Sequence, residues 1–148
     1  MERERYVAVD LETTGLNPRS DQILEIGAVL VEEGQTVATL SSFVQTGIQV
    51  PPSITELTGI TQEMAESGKP LREALEEFLD FCGDCDILGH NIVFDYGFLK
   101  QNLANLKIPF ERRGIDTLKI ARKHLAALPS RNLETLCRYY GIPQEKQH

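Results

Sequence analysis

Two carboxylates one residue apart, Asp10 and Glu12, are the first groups in this sequence able to do chemistry. They fall at the end of a β-rich run, Tyr6-Val7-Ala8-Val9-Asp10-Leu11, and in a strand residues i and i+2 share a face. Leu11 then turns toward a core. Two acids this close repel unless a proton or a cation lies between them. Hard cations such as Mg²⁺ and Mn²⁺ take oxygen ligands, often one or two carboxylates with water and phosphate completing the shell. An isolated D-x-E pair is weak evidence, because most such pairs are solvated strand ends. A third acid, Asp95, closes the string Gly89-His90-Asn91-Ile92-Val93-Phe94-Asp95. His90, His124 and His148 are the available imidazoles. The C-x-x-C pair Cys82 and Cys85 lacks a zinc ligand set, since only Cys137 remains. Cys82 is expected to end an apolar helix face and Cys85 to sit in the next turn.

The elements that must position these groups can be read from period and punctuation. The first run is closed by the turn signal Thr14-Gly15-Leu16-Asn17-Pro18. Gln22 to Val31 reads as a second strand, and Glu32-Glu33-Gly34-Gln35 as a hairpin-like turn into a third, Thr36 to Thr46. Three strands on short turns predict an antiparallel meander. Leu71, Ala74, Leu75, Phe78, Leu79 and Cys82 then follow helical spacing, with Pro70 near the start. A short strand, Asp86 to Gly89, precedes a helix over about Val93 to Leu103. Leu118, Ala121, Leu125 and Leu128 suggest another helix, with His124 on its polar side. Leu133, Leu136, Cys137 and Tyr140 suggest a last one, capped by Ser130 or Asn132 and stopped by Gly141 and Pro143. The prediction is an α/β fold with a mixed sheet, an antiparallel three-strand meander then parallel strands, flanked by helices.

Composition sets the outer bounds. A chain of 148 residues, 41% hydrophobic and 25% charged, is expected to form one domain with a real core. The apolar run Tyr6 to Val9 is too short for a signal sequence and no later run approaches a membrane span, so a cytoplasmic protein is expected. A net charge of −7 argues against holding nucleic acid by charge alone. That objection weakens if the acids bind cations, which reverse the local sign where a phosphate must approach.

The strings around the acids carry more than their spacing. Asp10-Leu11-Glu12-Thr13-Thr14-Gly15, then Pro51 with Ile54-Thr55-Glu56-Leu57-Thr58-Gly59-Ile60-Thr61, then His90-Asn91-Ile92-Val93-Phe94-Asp95 stand in the order found in DnaQ-like 3′–5′ exonucleases of the DEDDh branch. The chain resembles that family along essentially its whole length. The resemblance implies an RNase H-like fold and two-metal phosphodiester hydrolysis at a single-stranded or frayed DNA 3′ end, in proofreading or repair. Asp10 would bridge two Mg²⁺ or Mn²⁺ ions, Glu12 would hold the first, and Asp95 would serve the second directly or through water. Thr13, Thr14 and Gly15 would meet the terminal nucleotide, and Leu16 and Leu57 would pack on the last bases. Asn91 counts among the substrate-facing residues, though it is better placed to brace its turn. Phe94 and His90 read as structural. A polymerase or a helicase, in cis or in trans, is the implied partner. An RNA-trimming enzyme of the same family and a catalytically inactive docking module are the alternatives.

The last expectation concerns a departure from the pattern. His148 follows Tyr140-Gly141-Ile142-Pro143 at the spacing of the family's catalytic histidine, and it is the final residue. The acid that the family carries five residues later, and its closing helix, are absent from these 148 residues. A longer parent protein is expected, with an inert relative as the other explanation.

Overall fold

The two-residue hairpin between the second and third strands is where local backbone chemistry first decides the fold. Glu33 and Gly34 have φ of 51° and 80°, the positive pair a tight hairpin needs to match strand twist. The computed structural model describes residues 5–116, and within them the meander is β1 (Arg5–Thr13), β2 (Ile23–Glu32) and β3 (Gln35–Phe43). Both pairings are antiparallel, with Glu32 opposite Gln35 across the hairpin.

Two short helices follow that helical periodicity is too brief to show. α1 (Pro52–Thr58) begins with proline in its first turn and stops at Gly59, whose φ of 81° is left-handed. α2 (Gln62–Glu66) is capped by Thr61, whose hydroxyl accepts the Met64 N–H at 3.1 Å. α3 (Leu71–Cys82) matches its predicted range and buries the predicted face, Ala74, Leu75, Phe78 and Cys82. β4 (Asp86–Gly89) and α4 (Ile92–Asn105) also stand where expected, and β5 (Gly114–Asp116) is an additional three-residue strand. The helices expected beyond Leu118, with His124, Cys137 and His148, lie outside the described residues.

The sheet order is β3-β2-β1-β4-β5, with β1–β4 and β4–β5 parallel. The mixed sheet predicted from the sequence is the one observed. Its consequence is positional: the carboxyl ends of β1, β4 and β5 come to one edge of the sheet, where open α/β folds place their ligands. On β1 the side chains alternate, so Val7, Val9 and Leu11 enter the core while Asp10 and Glu12 stay half-buried on the other face. The core packs these three against Leu75 and Phe78 of α3 and Phe98 and Leu99 of α4. Cys82 and Cys85 are buried free thiols, and Cys85 N–H donates to Cys82 O at 3.1 Å to close the turn, which matches the structural reading of the pair. Among the described residues no helix is long and apolar enough to cross a membrane.

Phe78 is fully buried and meets Phe110 edge-to-face with centroids 6.1 Å apart. Phe78→Ala should therefore cost about 3–5 kcal/mol, through lost burial and a cavity the helix–sheet contact cannot close. Urea unfolding followed by circular dichroism measures this directly.

Candidate active site

Asp10 and Glu12 lie on β1 two residues apart, opposite Gly27 and Glu25 of β2. The pairing slips by one residue between Glu12 and Thr13, a bulge of the kind that re-aims side chains at a strand end. On the other side of β1 the parallel ladder with β4 stops at Ala8 and Leu88. Beyond that stop, Asp95 in the first turn of α4 reaches the edge of the strand. Its Oδ1 accepts the Leu11 N–H at 3.4 Å, a long contact that nevertheless ties residues 84 apart in sequence.

Gly89 is what permits that approach. A Cβ there would lie 2.8 Å from Ile92 Cδ1, 3.2 Å from Val9 O and 3.6 Å from Asp95 Oδ2, so a side chain would push α4 away from β1. The chain then turns through Asn91, left-handed at φ 62° and ψ 55°, and enters α4. Asn91 makes no side-chain cap, and its N–H donates to Asp116 Oδ1 at 3.1 Å across the parallel β4–β5 end.

The electrostatics of this edge are those of crowded acids. Burial pushes the Glu12 carboxyl up to about 7, with the charges of Asp10 and then Glu25 adding to the rise. Burial likewise pushes Asp95 up to about 8; the Asp10 charge adds to this, as do Glu12 and Asp116, while the Leu11 N–H opposes it. Asp10, Glu12 and Asp95 are thus within electrostatic reach of one another. Among the described residues, however, no three His, Cys, Asp or Glu side chains form a group that could hold a metal ion by itself. The donor set suits a hard cation that uses one or two carboxylates and completes its shell with water and phosphate, rather than an all-protein cage.

The loop after β1 is held by its own polar groups. Thr13 Oγ1 donates to Gly15 O at 2.7 Å, Thr14 Oγ1 donates to Asp21 Oδ1 at 3.3 Å, and Gln22 N–H donates to Thr14 Oγ1 at 2.9 Å. Both threonines are buried, so their hydroxyls serve the turn itself. A Cβ on Gly15 would meet the Asp21 carboxylate at 2.4–2.6 Å and displace it from the Thr14 hydroxyl and the Asn17 N–H that it accepts. Leu16 and Leu57 are 83% and 81% exposed, the most exposed large apolar side chains among the described residues. Phe94 packs on Phe98 at 5.0 Å and is half-buried, close to its expected structural part. His90 has a buried Nδ1 with no hydrogen-bond partner among the described residues. Glu25 and Asp116 were not singled out from the sequence; only pairing across strands brings them to the other acids.

A family model described as an exonuclease, RNase_T, matches residues 7–148. This chain belongs to that exonuclease family. DNA polymerase III PolC-type from Clostridium perfringens is 37% identical over 145 residues, and the protein of the same name from Thermotoga maritima is 39% identical over 144. The matches cover 98% and 97% of this chain but 10% of each relative, so the exonuclease chain spans about a tenth of those polymerases. In fold it is similar to E. coli exonuclease I in complex with a dT13 oligonucleotide, with a TM-score of 0.78 at 18% identity over 96% of this chain and 37% of that one. A product-bound exonuclease I gives the same score at 17% identity, covering 97% of this chain and 40% of that one. The exonuclease domain therefore has the RNase H-like fold expected from its motifs.

The raised carboxyls make a pH prediction. Unfolded Glu and Asp titrate near their ordinary values of 4.5 and 3.8, whereas the folded groups hold their protons up to about 7 and about 8. Through that window the folded state binds more protons than the unfolded one, so metal-free stability should fall as pH rises from about 4 to about 8. Asp95→Asn should flatten most of that fall, as denaturation in EDTA at pH 5 and pH 8 would show. An unchanged slope would mean that Asp95 is not the strained acid.

Proposed function

We propose that this domain is a divalent-metal-dependent 3′–5′ exonuclease that removes nucleotides from DNA 3′ ends. The observation that carries the reading is Asp95 held at the edge of β1 beside Asp10 and Glu12, across 84 residues of sequence between Leu11 and Asp95. A fold that crowds like charges into a half-buried edge loses stability by doing so, and functional sites are where such arrangements concentrate.

Two bound Mg²⁺ or Mn²⁺ ions would offset the phosphate charge and make a bound water easier to deprotonate. Asp10 would contact both ions, Glu12 the first, and Asp95 the second directly or through water. The imidazole of His148 would take the proton from the attacking water. The water oxygen bonds to phosphorus as the bond from phosphorus to the 3′ oxygen of the preceding nucleotide breaks, which releases the terminal nucleotide. The backbone of the Thr13-Thr14-Gly15 turn would lie against the terminal sugar, and the exposed Leu16 and Leu57 would cover the last bases. Asn91 supports the turn into α4 through its backbone. A net charge of −7 is compatible with this substrate because cations at the acids, rather than a basic surface, meet the phosphates.

Similarity to PolC-type polymerases supports proofreading beside a polymerase, in the same polypeptide or as a partner, as the setting for a single domain of this size. Incubation of a 5′-labelled single-stranded DNA oligonucleotide with Mn²⁺ tests the chemistry. Products should shorten stepwise from the 3′ end, and Asp10→Ala should reduce the rate by more than about a hundredfold, the upper end for loss of a group that only supports a metal ligand. The assay should include residues 1–148 and any longer product that the coding sequence encodes. Preferential trimming of RNA would reassign the substrate. Inactivity of the longer product on both polymers would favour a docking module.

A further inference from the structure

The turn between β4 and α4 sets where Asp95 points, and one side chain from another strand holds that turn. Asn91 takes the left-handed conformation at φ 62° without a side-chain cap of its own. Asparagine adopts this region more readily than most non-glycine residues, and a contact from outside the turn fixes it there. The holding contact is its N–H donating to Asp116 Oδ1 at 3.1 Å. Asp116 ends β5, and the parallel register sets it beside Gly89, two residues before the turn. Four residues after Asn91, Asp95 meets Leu11 N–H at the edge of β1. We propose that Asp116 is a positioning residue of the exonuclease site: by accepting the Asn91 N–H it locks the β4–α4 turn and aims Asp95 at the metal-binding edge.

The alternative for Asp116 is direct contact with a cation, since it lies close enough for its charge to act on Asp95. The two differ in what they need from the side chain. A brace needs one acceptor oxygen in place, which an amide also has; a direct ligand for a hard cation needs the carboxylate charge. Supports behind a metal ligand cost about 10–100-fold in affinity when removed. The proposal rests on the metal-dependent reading above, so its test has a part that needs no metal.

Amide hydrogen exchange of the metal-free chain gives that part. Asp116→Ala should remove protection of the Asn91 amide and loosen the first turn of α4, while Asp116→Asn should keep both. Mn²⁺ titration followed by the electron paramagnetic resonance of the free ion gives the second part. Asp116→Ala should weaken binding by about 10–100-fold, and Asp116→Asn should restore it to within a few-fold of the parent chain. Unchanged exchange at Asn91 in Asp116→Ala would overturn the proposal. So would equal losses of Mn²⁺ affinity in the alanine and asparagine variants, which would make Asp116 a ligand rather than a brace. If the parent chain binds no Mn²⁺ at all, the metal-dependent reading fails, and exchange at Asn91 still decides whether Asp116 holds the turn.

Discussion

Carboxylates gathered at the ends of neighbouring strands repel, and burial makes that repulsion harder for water to screen. Asp10, Glu12 and Asp95 stand in this relation, with Glu25 and Asp116 near enough to add to it. Either protons or cations must enter the edge for it to be comfortable. The surrounding structure keeps the acids together regardless: a bulge after Glu12, a glycine where α4 crosses β1, and a left-handed turn tied to β5. Together they hold charge where the folded chain alone has least use for it.

The sheet topology explains why the acids come from such distant segments. β1 is central, antiparallel to β2 on one side and parallel to β4 on the other. β4 has only four residues, so its ladder with β1 ends early and leaves the last part of β1 open along one edge. The first turn of α4 takes that place, and a side chain substitutes for the missing strand. A longer β4 would have continued the ladder and kept Asp95 away. The brevity of a strand is thus a condition of the site.

Preorganisation extends into the loop after β1. Its threonine hydroxyls are engaged by Gly15, Asp21 and Gln22, and the turn is fixed before any ligand arrives. Leu16 protrudes from this fixed turn, and Leu57 from α1, which ends in its own glycine stop. Apolar side chains on rigid supports can cover bases with little loss of freedom.

Some of this was legible in the residues alone. The alternation of β1 assigned Asp10 and Glu12 to one face and Leu11 to the core, because strand geometry is local. The helical period placed α3 within its observed bounds, and the order of three motifs identified the family and the fold. Periodicity needs several turns to register, so α1, α2 and β5 escaped it; their caps and their sheet partner make them. Glu25 and Asp116 escaped for a different reason. The register of β2 against β1 depends on the folded loop over residues 14–22 and on a bulge after Glu12, and the register of β5 follows a whole helix, so neither can be counted from spacing. The sequence marked Asp10, Glu12 and Asp95 as candidates to act together. How close they stand, which strand ends early enough to admit Asp95, and which carboxylate braces its turn were decided only when the strands paired, because cross-strand distance has no counterpart in sequence distance.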